Sequence, residues 1–127
     1  MICVYGVAFR LVPVRKVLSE VINRCMTEAL AFPENKKAQR FFPMTPENFY
    51  YPEGRTDAYT VIEISLMAGR STEAKKKLLH LLFSSIEKEI GIAPADIEIT
   101  ISESAPENWG FRGMTGDEAT LNYRIDV

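Results

Sequence analysis

The sequence predicts an α+β fold: a duplicated β-α-β unit forming a four-stranded sheet with two helices on one face, plus short extra strands. Three observations predict it. Two apolar stripes have helical spacing, segments of alternating polarity flank them, and an offset of sixty residues lays one set over the other. The offset shows first in Pro-Glu-Asn-Phe at 46–49 and Pro-Glu-Asn-Trp at 106–109. The tripeptide also occurs at 33–35, so the offset has to hold along the whole chain.

The first ten residues, "MICVYGVAFR", open the chain with strand-like Ile2 and Val4. From Val14 the apolar residues fall at 14, 17, 18, 21, 22, 25, 26, 29 and 30, one stripe of a helix with Pro13 near its first turn. Residues 38–44, "AQRFFPM", read as a weaker strand because Pro43 interrupts them. In "YTVIEISLM" (59–67), Thr60, Ile62, Ile64 and Leu66 share one side; Tyr59, Val61, Glu63, Ser65 and Met67 share the other. A second helical stripe runs through Ala74, Leu78, Leu79, Leu82, Phe83, Ile86 and Ile90. Ser71 is placed as its N-cap, Glu73 suits the first turn, and Gly91 with Pro94 ends it. "DIEITISE" (96–103) alternates as a strand, and "ATLNYRIDV" (119–127) reads as a last short strand after a turn-like "GMTGDE".

At the sixty-residue offset Val14, Leu18, Ile22, Met26 and Leu30 meet Ala74, Leu78, Leu82, Ile86 and Ile90, every pair apolar. Ile2 and Val4 meet Ile62 and Ile64, Arg10 meets Arg70, and Phe49 meets Trp109. Pro33 and Pro94 stand one residue out of step, which reads as a single insertion. The expected organisation is one domain over residues 1–127, with a first unit at about 1–57 and a second at about 58–127. Parallel pairing within each unit, under the right-handed crossover rule, sends both helices to one sheet face. The other face carries Val61, Met67 and polar neighbours, and other subunits of a closed symmetric oligomer are expected to cover it.

Composition narrows the function classes. With 46% hydrophobic and 25% charged residues the chain is of ordinary globular type, and a net charge of -2 gives no general attraction to nucleic acid. Lys75, Lys76 and Lys77 read as the solvated face of a helix. No apolar run approaches the roughly 20 residues needed to span a bilayer. The start has no basic region of a signal peptide, so the expected address is cytoplasmic, with Cys3 and Cys25 as reduced thiols. His80 is the only histidine, which removes support for a histidine triad or a histidine-rich metal site. No metal and no cofactor are expected.

Three stretches carry a resemblance: "GRSTEAKKKLL" (69–79), "GIAPADIEITISE" (91–103) and "NWGFRG" (108–113). They resemble the tautomerase superfamily, which includes 4-oxalocrotonate tautomerase, malonate semialdehyde decarboxylase and macrophage migration inhibitory factor. The resemblance implies a duplicated β-α-β fold and a homotrimer. Its activity is that of an isomerase of the keto–enol tautomerase type, or a related lyase, acting on a small carboxylic acid. Family members use an amino-terminal proline whose amine moves protons between carbon and oxygen, arginines that bind the substrate carboxylate, and aromatics that keep water out.

Carried over residue by residue, Arg70 in the Gly-Arg-Ser turn is placed to bind a carboxylate, with Arg10 in the matching place of the first unit. Trp109 and Phe111 match the pocket aromatics, whereas Phe49, Tyr50 and Tyr51 read as packing. The family's second arginine falls on Glu98, a carboxylate that would repel an acidic substrate, and Arg40 is the candidate replacement. The decarboxylase's acidic residue after the first helix falls on Lys36. The amino-terminal proline is missing: residue 2 is Ile2 and the first proline is Pro13. Three readings stay open. The Met1 amine, with an ordinary pKa of about 7.7–8.0, substitutes for it; the chemistry is lost and a small-carboxylate-binding or protein-interaction trimer remains; or the true start lies upstream.

Overall fold

The computed structural model describes residues 1–119 and 125–127. Strand β1 (Ile2–Val7) leads through a short helix α1 (Ala8–Leu11) and a 3₁₀ turn at Val12–Val14 into α2 (Arg15–Leu30). Helical backbone thus begins six residues ahead of the Val14 expected from the stripe. Pro13 sits in the 3₁₀ turn, where its missing N–H interrupts the α-helical ladder. Strand β2 (Gln39–Met44) closes the first unit. The second unit repeats the order with β3 (Thr60–Met67), α3 (Thr72–Ile90) and β4 (Ile97–Ser104), followed by a hairpin of β5 (Gly110–Phe111) and β6 (Met114–Thr115).

The main sheet has the order β2-β1-β3-β4. β1 pairs with β2 in parallel, β3 with β4 in parallel, and β1 with β3 antiparallel. Pro43 is tolerated because β2 is an edge strand, where a residue without N–H need not break a ladder on both sides. In both units the parallel partners stand 37 positions apart (39 − 2 for Ile2 and Gln39; 97 − 60 for Thr60 and Ile97).

The sixty-residue repeat runs without a break. α2 ends at Leu30 and α3 at Ile90; each is closed by a left-handed residue, Ala31 at φ 55° and Gly91 at φ 85°. The next 3₁₀ turns are Glu34–Lys36 and Pro94–Asp96, and the Pro-Glu-Asn turns are Pro46–Asn48 and Pro106–Asn108. The single insertion inferred from Pro33 and Pro94 is therefore corrected. Pro33 precedes one turn and Pro94 opens the other, and neither position needs a backbone donor.

Both helices pack on one face. Leu18, Ile22 and Leu30 of α2 and Leu78 and Leu82 of α3 are fully buried against Val4, Ile62 and Ile64. Ser71 caps α3 as expected, its hydroxyl accepting from the Ala74 N–H at 3.1 Å. Cys25 joins this core, while Cys3 is half-buried on the opposite face of the sheet. On that open face Tyr5 stacks on Phe42 with ring centres 4.8 Å apart, and Phe42 remains 40% exposed. Met67, expected among the residues awaiting another subunit, is instead covered within the chain. The Gly116 backbone lies against its methyl group, so closely that a Cβ there would come within 2.7 Å. The last strand expected at 119–127 falls largely on residues 120–124, which lie outside the described residues. Its end returns to the β3–α3 turn, with Val127 O accepting from the Ser71 N–H at 2.9 Å.

Candidate active site

The antiparallel β1–β3 pair decides what meets the amino terminus. Met1 extends β1 by one rung: its amine donates to Ser65 O at 2.9 Å and its carbonyl accepts from Ser65 N at 2.8 Å. Because β3 runs against β1, the turn after Met67 returns to this same end of the sheet and delivers Arg70 there. Arg70 is 6% exposed, and its Nη1 donates to Met67 O at 3.1 Å. Arg40, on the parallel strand β2, stands in register with Cys3.

These groups act on the amine. Its removal from water is the largest effect and lowers its pKa from the ordinary 8.0; Cys3 opposes this, while the Arg40 and Arg70 charges lower it further. A lowered pKa favours the neutral amine, the form that can accept a proton from carbon or oxygen. The neighbouring guanidinium groups can hold a carboxylate at the same place. The crevice beside Met1, which Lys36 and Lys37 also line, has a volume of only about 20 Å³. That is room for a water molecule and not for a keto acid, and neither Arg40 nor Arg70 lines it.

Arg10 goes to the other end. It lies beyond Val7, about 20 Å from Met1 along the six residues of β1, and Nη1 pairs with Asp57 Oδ1 at 2.5 Å. The surroundings there are filled by aromatic rings. Tyr59 is 6% exposed, packs beside Phe49 and Tyr51 with centres 5.9 and 6.1 Å away, and donates its hydroxyl to Glu98 Oε1 at 2.8 Å. Burial and Glu98 together raise the Tyr59 pKa above its ordinary 10.0. Phe49 and Tyr51 pack beside Tyr59, whereas Tyr50, expected to pack with them, is 88% exposed: its ring projects from the loop into solvent. Glu98 on β4 stands in register with Val61, in the row of Tyr5 and two strands away from β1, and engages Tyr59.

Trp109 and Phe111 lie past the end of β4, on the Met67 side of the sheet but with β3 between them and β1. The Trp109 carbonyl accepts from the Gly116 N–H at 2.7 Å, and the Arg112 guanidinium sits 4.9 Å from the centre of the Phe111 ring. Of the residues singled out in the sequence, the structure therefore gathers Met1, Arg40 and Arg70. It sets the hairpin aromatics apart and sends Arg10 away. Sequence reasoning passed over Ser65, which bonds Met1 through its backbone; the alternation of β3 was the signal that places it on the face of Cys3. Among the described residues no group of three His, Cys, Asp or Glu side chains could hold a metal ion, and no helix is long and apolar enough to cross a membrane.

Known proteins are similar to this chain in sequence and in fold. The chain is 30% identical over 103 residues to the probable tautomerase YusQ of Bacillus subtilis (strain 168), covering 74% of this chain and 78% of that protein. It is 29% identical over 56 residues to the 2-hydroxymuconate tautomerase of Comamonas testosteroni, covering 44% of this chain and 89% of that one. A crystal structure of native fused 4-OT superposes with a TM-score of 0.83 at 16% identity, over 92% of this chain and 96% of the other. Malonate semialdehyde decarboxylase superposes with a TM-score of 0.80 at 22% identity, over 90% and 92%. Those two likenesses concern the fold. Membership follows from the sequence itself: the profile of the family described as tautomerase enzyme matches residues 36–112, from the 3₁₀ turn ahead of Arg40 to the hairpin beyond Trp109, and this chain belongs to that family.

Proposed function

We propose that the protein is a keto–enol isomerase working as a homotrimer on a small 2-oxo or enol carboxylic acid. The observation that carries this reading is the Met1 amine, tied to Ser65 O and held below its ordinary pKa beside Arg40 and Arg70. With Met1 as the terminal residue, the neutral amine takes a proton from the substrate enol or from the carbon next to the keto group. It then returns the proton to the other atom, while Arg70 and Arg40 hold the carboxylate. Trp109 and Phe111 of a neighbouring protomer close the pocket against water. The trimer is supported by the open, partly aromatic sheet face, by the small crevice at Met1, and by the fused 4-OT that forms an asymmetric trimer on the same fold.

A second reading, a trimer that binds small carboxylates without turnover, is favoured by one feature. The amine at the site is the primary amine of Met1, with one of its hydrogens committed to Ser65 O. Ketonisation of phenylenolpyruvate separates the two. The wild type accelerates the reaction, and Arg70→Ala loses about a hundredfold in kcat/KM, the cost of removing one partner from a charged hydrogen-bonded pair. Equal, background-level rates for both proteins remove catalysis; carboxylates that still raise the melting temperature then establish the binding trimer. Intact mass with amino-terminal sequencing fixes which amine is being assayed. Sedimentation showing a strict monomer at micromolar concentration would sink the trimer.

A further inference from the structure

The sixty-residue repeat makes the Arg10 end of the sheet a second copy of the Met1 end. The offset carries Met1 and Ser65, partners across β1 and β3, onto Val61 and Tyr5, which are partners in the same register. It carries Arg70 onto Arg10, each of them shortly past the end of its strand. In this second copy the chain continues ahead of the matching residue, and residues 57–60 lead into Val61. Asp57 in that segment sets its carboxylate on the Arg10 guanidinium, with Nη1 donating to Oδ1 at 2.5 Å. The turn that carries Asp57 is held independently of this pair. The Tyr59 N–H donates to Thr56 O at 3.0 Å, and the Ala58 N–H donates to the Thr56 hydroxyl at 3.1 Å. Asp96 in turn accepts from the Thr56 N–H and hydroxyl. Arg10 also lines a cavity of about 70 Å³ whose apolar walls are Leu11, Val14, Ala58, Ile90 and Ile92.

We propose that the Arg10 corner is a second carboxylate-binding site, which the chain fills with its own Asp57. The site rests on the carboxylate-binding reading of Arg70, its counterpart in the repeat. A guanidinium offers the same donors to a side-chain carboxylate as to a free acid. Asp57 is tethered beside them by a pinned turn, so its effective concentration exceeds that of a dilute free acid. Both side chains remain about half exposed, 48% for Arg10 and 43% for Asp57. A pair so open to water adds little stability, so removing the Asp57 carboxylate vacates the corner and leaves the turn standing. The cavity sets the class of ligand. Its apolar walls beside Arg10 suit the tail of a short aliphatic monocarboxylate, and its volume excludes an aromatic acid.

The test titrates the intact protein with propionate and with formate at constant ionic strength and reads binding from the thermal midpoint. Wild type, Asp57→Ala, Asp57→Asn and the double variant Arg10→Ala with Asp57→Ala are compared. Propionate raises the midpoint of Asp57→Ala saturably and further than that of the wild type. Its half-saturating concentration is at least about tenfold lower than in the double variant, the worth of hydrogen bonds to a charged group. Asp57→Asn removes the charge but keeps a group of the same size in place, so it responds less than Asp57→Ala. A response of Asp57→Ala no greater than that of the wild type shows an ordinary surface ion pair and overturns the site. Equal responses of Asp57→Asn and Asp57→Ala overturn it as well, because charge and not vacancy then draws the acid. Formate binding as tightly as propionate overturns the role of the cavity. Any binding at Arg70 is common to all four proteins. A wild type that responds to neither acid therefore removes the Met1 reading and leaves the Arg10 comparison intact. Circular dichroism matching the wild type shows that each variant is folded.

Discussion

Met1 and Ser65 exchange both of their backbone hydrogen bonds, 2.9 Å from Met1 N to Ser65 O and 2.8 Å from Ser65 N to Met1 O. The amino terminus is thus the last rung of the β1–β3 ladder, and its amine is held by the sheet itself. A group on a ladder cannot turn away from its neighbours, so the burial and the two arginine charges act on it continuously.

The pH profile follows from that. Burial first, then Arg40 and Arg70, hold the amine below 8.0, so the neutral base is present from a lower pH than for a free amine. kcat/KM rises with pH through this lowered value. In Arg40→Ala one repelling charge is gone, the amine pKa moves up, and the rising limb shifts to higher pH. The sign for stability is the same. The unfolded chain binds the proton more readily, so this group's contribution increases with pH between the lowered value and 8.0.

Asp96 anchors the long loop ahead of β3. Its two oxygens accept from the Thr56 N–H at 2.8 Å and from the Thr56 hydroxyl at 2.7 Å, and the side chain is buried. Burial alone would raise its pKa; the Thr56 hydrogen bonds and the charges of Arg55 and Arg10 prevail and hold it below 3.8. Its stabilisation is therefore complete above pH 3.8 and lost as the pH falls through the lowered folded value. Asp96→Ala costs about 1–3 kcal/mol at pH 7 by stranding the Thr56 donors. Urea unfolding at pH 7 and pH 3 checks both the size and the sign.

The two helix ends test the repeat. Gly91 takes its left-handed cap at φ 85° without strain, whereas Ala31 adopts φ 55° with a Cβ. Left-handed backbone costs an L-residue about 1–2 kcal/mol, and glycine returns part of that as unfolded-state entropy. Ala31→Gly is expected to stabilise the protein by about 0.5–1 kcal/mol, read from the thermal midpoint. The opposite change, Gly91→Ala, lowers stability by a similar amount.

Gly116 controls the hairpin. A Cβ at this residue would stand 2.5 Å from Pro106 O and 2.7 Å from the Met67 methyl. The first of these is backbone and has little room to yield. Gly116→Ala therefore lifts the hairpin from Met67 and costs about 1–3 kcal/mol. Trp109 is the only tryptophan, so its fluorescence reports the event directly as a shift to longer wavelength.

Most of the elements were legible because local rules produce them. The stripes at 14–30 and 74–90 gave the helices, the alternation in 59–67 gave β3, and Ser71 and Gly91 marked the ends of α3. Errors arose where one residue serves two roles. Pro13 interrupts helical backbone that already begins at Ala8, and Pro33 and Pro94 suggested an insertion that two equivalent 3₁₀ turns do not contain. Met67 was assigned to a face awaiting another subunit because periodicity cannot see the hairpin that folds over it.

The sequence by itself determined two copies of a strand–helix–strand unit, the faces of their strands and the pair of arginines, Arg10 and Arg70, that follow them. These depend on contacts and dihedral preferences within a few residues of chain. Only the tertiary structure decided which arginine serves the amino terminus. In both units an arginine stands three residues past the end of the first strand (10 − 7 and 70 − 67). The antiparallel join of β1 to β3 decides between them: it brings Arg70 back to Met1 and leaves Arg10 about 20 Å away with Asp57. That join pairs residues from 54 positions apart (60 − 6 for Gly6 and Thr60) to 64 (65 − 1 for Met1 and Ser65), and its register is chosen by burial of Ile2, Val4, Ile62 and Ile64 on one common face.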